Sequence, residues 1–247
     1  AIAAYIYKQQ GIKHCMDQSH TLDDPEFGHA VRSAYAGGRF EVIKTGFNIS
    51  DPVYEYDINS AYPYAMTKLP NLKDGEWEKV NGDPGYKHFA LYHIKYEAEE
   101  GFIGDGWDTP FPLYYRNPQS LIFYPPEVSG WFWSPEYKMA KEFVAKHGGS
   151  IIIDSAYVFH ENGARPFQFV KDMYNERQRL KREGSGAQIG LKLGLNSLYG
   201  KMAQQVGWEE DRLPPFHQLE WAGYVTSHCR AQIMTAIMDK LDSVVAF

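Results

Sequence analysis

Two segments 135 positions apart constrain this chain more than any other part of it. The first, Asp57-Ile-Asn-Ser-Ala-Tyr-Pro63, follows an apolar stretch that reads as a strand, so a carboxylate stands where a strand ends. The second, Lys192-Leu-Gly-Leu-Asn-Ser-Leu-Tyr-Gly200, sets Lys192, Asn196 and Tyr199 at i, i+4 and i+7, on one face of a helix. Strand and helix candidates follow one another without any internal repeat, and the fold class expected is α+β.

Residues 1–16 read as a helix with Ile2, Tyr5 and Ile6 at helical spacing, followed by a polar loop at Asp23-Asp24-Pro25 and a second helix over 25–33. Residues 39–43 and 53–56 read as strands separated by Gly46 and Pro52, a hairpin-like pair. Ser60 is expected to cap a short helix ending near Leu69-Pro70. Between 71 and 126 aromatics, Gly and Pro abound, with strand candidates at 88–96 and 120–124. Residues 134–147 read as a helix with proline in its first turn, stopped by Gly148-Gly149, and 150–159 as a buried β-branched strand. Residues 167–183 and 187–204 form an antiparallel helical hairpin through Gly184-Ser-Gly186. A helix over 222–241 and a strand over 243–247 complete the expectation.

With 44% hydrophobic and 23% charged residues, the 247-residue chain can bury a substantial core. No apolar run approaches the roughly 20 residues that cross a bilayer, and the N-terminus lacks the basic-then-apolar order of a secretory signal. An intracellular protein with no membrane partner is expected. Cys15 and Cys229 are far apart and outside any zinc-ligand spacing, so they read as core or incidental thiols. A net charge of −6 argues against bulk attraction to nucleic acid, yet residues 165–201 hold eight cations against three anions. That basic island is either a solvated helical face or a local track for phosphates.

Glu55 and Asp57, two apart on the expected strand, share a face, while Tyr54 and Tyr56 point the other way. An Asp after a strand is commonly a turn residue or cap; facing a groove, it can bind Mg²⁺ together with substrate phosphates. Gly190 and Gly194 thin one side of the second helix, which suits either a packed neighbouring helix or a nucleobase or sugar close to the backbone. Lys192 with an arginine of the preceding helix would clamp a triphosphate. A metal ligand and a phosphate clamp are what phosphoryl transfer from a nucleoside triphosphate requires.

Asp57-x-x-Ser60-x-Tyr62-Pro63 and Lys192-x-x-x-Asn196-Ser197-x-Tyr199-Gly200 resemble the first two polymerase motifs of family B DNA polymerases. Tyr35-Ala-Gly37-Gly38, upstream of them, is similar to the tyrosine and double-glycine motif best known in the protein-primed phage and viral branch. The resemblance implies a palm, an antiparallel sheet with helices on one face, carrying a helical-hairpin fingers subdomain and a β-rich insertion. In that layout residues 1–70 hold the N-terminal part of the palm, 71–133 the insertion, 134–163 palm, 164–205 the fingers hairpin, and 206–247 a palm helix with the start of a third-motif strand.

The same resemblance implies roles for individual residues. Asp57 would be a catalytic aspartate and metal ligand, completed by the Ile58 carbonyl, with Mg²⁺ as cofactor (two ions in a complete site, Mn²⁺ as substitute). Tyr62 would exclude a ribose 2′-hydroxyl, Lys192 would grip the incoming triphosphate, and Asn196 and Tyr199 would line the nascent base pair. Arg177, Arg179 and Lys181 are candidates for a second triphosphate contact. Tyr35, Gly37, Gly38, Gly200 and Lys201 would touch DNA. The partners implied are primer-template DNA and dNTPs, with a terminal protein primer as a further partner, and a phage member would work in the host cytoplasm.

Family members carry a third motif, a tyrosine-x-Asp-Thr-Asp-Ser hairpin, and Val244-Val245-Ala246-Phe247 resembles the strand that enters it. A palm-fingers fragment lacking that motif, the exonuclease and the thumb is therefore expected. Two alternatives stay open: one half of a split polymerase completed by a second polypeptide, and a non-catalytic nucleic-acid-binding module.

Overall fold

A computed structural model describes residues 2–12, 20, 23–44, 52–102, 110–204 and 214–246. Cys15 and the Gly46 turn lie outside the described residues. The chain divides into two compact units: a first of Ala1–Tyr35, Ser60–Glu78 and Phe159–Val225, and a second of Ala36–Asn59, Lys79–Val158 and Thr226–Phe247.

In the first unit, α1 (Ile2–Gln9) is shorter than the helix expected over 1–16 and is followed by Gly11 in the left-handed region. α2 (Pro25–Ala34) starts where expected: Asp24 accepts from the Glu26 and Phe27 N–H groups, and proline follows within the first turn. α3 (Ala61–Met66) departs from expectation at its start. Ser60 stands at the cap position but with φ 54°, and its side chain makes no capping hydrogen bond. A serine in the left-handed region carries strain that a cap in extended conformation does not.

α5 (Phe169–Arg182) and α6 (Ala187–Met202) form the hairpin read from the sequence, with Gly184 at φ 69° in the turn. α1 and α3 pack on α6. The buried residues of α6 are Gly194, Leu195, Leu198 and Met202, so one stripe turns inward and the rest of the helix faces out. Tyr7, Phe167, Phe216 and Trp221 form a ring cluster beneath it, and Trp221 donates to the Pro70 carbonyl at 3.0 Å.

The second unit is built on an antiparallel sheet. β2 (Ala90–Glu97) pairs on one side with β5 (Glu127–Trp133), from Leu91↔Trp133 to Glu97↔Glu127, and on the other with β6 (Ser150–His160), with a register shift between His93 and Ile94. β1 (Glu76–Asn81) and β5 are the two edge strands of the order β1-β6-β2-β5, and β3 (Tyr115–Arg116) and β4 (Ile122–Phe123) form a small separate pair. Tyr92, Ile94 and Tyr96 alternate inward and meet α4 (Ser134–His147) through Tyr137, Met139, Ala140 and Phe143, with Tyr92 stacked on Tyr137 at 3.9 Å. Met234 and Met238, at the end of α7 (Leu219–Ile237) and just beyond it, join this core.

The sheet draws on both the 71–133 stretch, expected as a β-rich insertion, and the 134–163 stretch that supplies β6. β1 and β5 were not anticipated. Gly148 and Gly149, at φ 81° and 93°, end α4 as expected. The hairpin expected between 39–43 and 53–56 does not form. Val42 bridges Ala246, and the Ile43 and Lys44 N–H groups both donate to the Val245 carbonyl. Residues 53–56 pair with no strand among the described residues, and Glu55 and Asp57 therefore do not share a strand face. The expected strand at the end of the chain is a short extended run after a 3₁₀ turn at Leu241–Ser243. No helix among the described residues is long and apolar enough to cross a membrane.

Candidate functional site

In the first unit the outward face of α6 carries Lys192 and Asn196 exposed and Tyr199 half-buried. α1 fixes that face: the buried Tyr7 hydroxyl donates to the Leu198 carbonyl at 2.6 Å. Burial pushes the Tyr7 phenol far above its ordinary pKa, so it stays a donor. Of the two alternatives for the glycines, Gly194 belongs to helix packing, since an added Cβ would touch Ile6, Met173 and Ile2. Gly190 and Gly200 instead face open space.

Tyr62, the second residue of α3, stacks on Tyr199 with ring centroids 4.7 Å apart and planes 10° apart. The Tyr35 hydroxyl lies 3.3 Å from that of Tyr199. Three tyrosines from three separated segments thus meet at one point. The basic candidates of α5 differ from one another. Arg179 is clamped between Glu176 and Glu183, with contacts of 2.6 to 3.0 Å, which raises its pKa and commits its guanidinium to its own helix. Arg177 is half-buried, its Nε has no hydrogen-bond partner among the described residues, and Lys181 is exposed. Lys201 donates to the Gln204 side chain at 2.5 Å.

Asp57 belongs to the second unit and is exposed; its carboxylate makes no hydrogen bond or ion pair among the described residues. No group of three metal-ligating side chains occurs among the described residues. One uncommitted carboxylate beside a backbone carbonyl is an oxygen donor set that fits Mg²⁺, which completes its shell with water and substrate phosphate.

The second unit also holds a buried polar network that the sequence reading missed. Arg230 of α7 forks onto Glu136 of α4 through Nε and Nη2, at 2.8 and 3.0 Å, and its Nη1 donates to the Ala36 and Gly37 carbonyls at 2.7 and 2.8 Å. Beside it, buried Arg39 pairs with Glu41 at 2.5 Å and lies over the Tyr124 ring at 3.6 Å. Burial lowers the pKa of Arg39, and Glu41 and Tyr124 oppose that. One signal was present in the sequence: Arg230 falls at helical spacing with the apolar Ile233, Met234 and Ile237. Cys229 is a buried free thiol with its pKa pushed up to about 12 by burial, in keeping with a core role.

The chain is similar in sequence and in fold to known DNA polymerases. The DNA polymerase of Acidianus bottle-shaped virus is 24% identical over 243 residues, covering 87% of this chain and 33% of the viral protein. The primer-independent DNA polymerase PolB of Escherichia coli is 27% identical over 234 residues, covering 85% of this chain and 26% of that protein. The chain therefore spans about a third or less of these relatives. Among solved structures, phi29 DNA polymerase has a similar fold, with a TM-score of 0.61 at 20% identity, covering 99% of this chain and 49% of that one. Its complex with primer-template DNA and incoming nucleotide substrates gives 0.61 at 21% identity, covering 100% and 45%. The family model described as DNA polymerase type B, organellar and viral, matches residues 4–211, and the chain belongs to that family.

Proposed function

We propose that this chain is the palm and fingers portion of a template-directed DNA polymerase that transfers deoxynucleotides to a primer 3′ end, with the five-part layout set out from the sequence. The observation that carries the reading is the stack of Tyr62 on Tyr199 with Tyr35 at its edge, which brings together side chains of the three motifs that resemble the family. Phi29 DNA polymerase, which shares the fold, is described with primer-template DNA and incoming nucleotides, and the same ligand classes are proposed here.

In this reading Lys192 holds the triphosphate as a point charge and Arg177 or Lys181 adds a second contact, Arg179 being engaged by its two carboxylates. Tyr62 bounds the sugar and Asn196 and Tyr199 the base pair. Tyr35, Gly37, Gly38, Gly200 and Lys201 lie along the DNA. Asp57 and the Ile58 carbonyl are the oxygen ligands for Mg²⁺. Bound there, the ion would neutralise charge on the triphosphate as the primer 3′ hydroxyl displaces pyrophosphate.

The test is metal-dependent primer extension by the whole native polypeptide and by its Asp57→Asn variant. The expected result is a loss of at least about a hundredfold in rate with primer-template affinity retained. Binding without any effect of Asp57→Asn would instead favour a non-catalytic nucleic-acid module, for which the exposed Phe40, Tyr54 and Tyr56 offer stacking surfaces.

A further inference from the structure

Arg230 is almost wholly buried, with 2% of its side chain exposed, and Glu136 with 1%. Burial alone would lower its pKa, but Glu136 and Tyr114, whose ring centroid lies 4.9 Å away, raise it, so the guanidinium stays charged. Two of its nitrogens are used by Glu136; the third accepts no role within α7 and donates instead to the carbonyls of Ala36 and Gly37. Two consecutive carbonyls thus turn toward one cation.

That arrangement has a consequence for the opposite side of the chain. No described peptide bond is cis, and a trans peptide directs each N–H opposite to the carbonyl it shares a plane with. The N–H groups of Gly37 and Gly38 therefore both point away from Arg230, whereas in a strand successive N–H groups alternate. Neither has an acceptor among the described residues. Gly37 is exposed, its φ lies outside the left-handed region, and a Cβ there would meet nothing within 4 Å. Neither backbone conformation nor packing demands glycine at 37, so close approach from outside is the remaining reason for it.

We propose that Arg230, gripped by Glu136, is a positioning residue that turns the Gly37 and Gly38 N–H groups outward as a paired cradle for a phosphodiester of bound DNA. Adjacent N–H groups aimed the same way form an anion-binding concavity. The identity of the ligand as DNA rests on the polymerase reading above. The buried Arg230 does not touch the phosphate; it fixes the peptide planes that do.

The experiment uses the whole native polypeptide with ¹⁵N-labelled glycine, titrated with a single-stranded oligonucleotide and, separately, with inorganic phosphate. Gly37→Ala and Gly38→Ala identify the two amide signals. In the wild type the oligonucleotide shifts both signals and inorganic phosphate shifts neither. The double variant Arg230→Met with Glu136→Met removes the buried ion pair without stranding either charge, a replacement that folds tolerate. It is expected to keep its other glycine signals, lose the response at 37 and 38, and bind the oligonucleotide about tenfold more weakly, the equivalent of roughly one net hydrogen bond. Arg230→Lys, which keeps the charge but cannot fork, recovers only part of the response.

A folded double variant with unchanged affinity and unchanged shifts overturns the proposal. So do shifts produced equally by inorganic phosphate, which assign the N–H pair to a free anion. Oligonucleotide binding with silent Gly37 and Gly38 signals sinks the cradle alone, whereas a wild type that binds no oligonucleotide sinks the polymerase reading with it.

Discussion

Tyr62 lies flat against Tyr199, ring centroids 4.7 Å apart, although the two are 137 residues apart in the chain. The stack holds one ring from α3 against one from α6, and the Tyr35 hydroxyl meets the far end of Tyr199. A ring so held has few rotamers open to it, which is the property a steric test of the sugar needs. Tyr62→Ala is therefore expected to admit ribonucleotides in primer extension, raising their use relative to deoxynucleotides by at least about tenfold, while Tyr62→Phe retains discrimination. Unchanged sugar preference in Tyr62→Ala would remove Tyr62 from the sugar pocket.

Lys192 and Arg179 make a paired test of the nucleotide contacts. Lys192 is exposed on the outward face of α6, whereas Arg179 is spent on Glu176 and Glu183. Lys192→Ala should raise the KM for nucleotide by about ten- to a hundredfold, the worth of a charge-assisted contact of roughly 1.5–3 kcal/mol, with a much smaller change in DNA affinity. Arg179→Ala should change KM by no more than about twofold, because surface ion pairs contribute little. Equal losses of nucleotide and DNA binding in Lys192→Ala would place that residue on the DNA.

The elements that could be read from the sequence are those marked by local chemistry. α4 is bracketed by Pro135 and Gly148, and the α5–α6 hairpin is marked by Gly184, so their ends were legible. β1 was not, because Glu76, Glu78 and Lys79 are the charges of an edge strand and leave no alternation to see. β5 hid behind Gly130 and the preceding prolines. The mistaken strand at 53–56 shows the limit from the other side. Tyr54 and Tyr56 have strand propensity, but a strand needs a partner, and residues 42–44 pair some 200 positions away with Val245 and Ala246. The motif residues of the candidate site were legible by type and spacing; the Arg230–Glu136 pair was not, since a charge on a helix ordinarily reads as solvated.

Gly149 and Gly37 should respond oppositely to alanine. Gly149 sits at φ 93°, and a Cβ there would lie 2.4 Å from the Glu97 carbonyl oxygen. Gly149→Ala is expected to cost about 2–4 kcal/mol, roughly 1–2 from the backbone conformation and the rest from overpacking, and to lower the urea midpoint accordingly. Gly37→Ala meets open space and should leave that midpoint nearly unchanged, its effect appearing in DNA binding. A well-tolerated Gly149→Ala would mean that the connection between α4 and β6 relaxes more freely than its geometry indicates.

Glu220, in the first turn of α7, makes stability depend on pH. Burial pushes its carboxyl up to about 8 from an ordinary 4.5, and the His20 backbone N–H, which donates to it at 3.4 Å, together with the nearby Trp77 and Gln218 only partly opposes this. Its Oε2 has no hydrogen-bond partner among the described residues. The folded state therefore retains a proton that the unfolded chain releases. Below about 4.5 both states are protonated and the group has no effect. As pH rises toward 8 the unfolded state is favoured increasingly, and above it the penalty is constant. Stability is lost with rising pH, the reverse of a salt-bridged carboxylate. Glu220→Gln keeps the neutral shape and removes the titration, so at pH about 8 it should be more stable than the wild type by on the order of a few kcal/mol, with the difference closing toward pH about 5. Urea midpoints of the two proteins across that range supply the check, and parallel curves would mean that Glu220 titrates alike in both states.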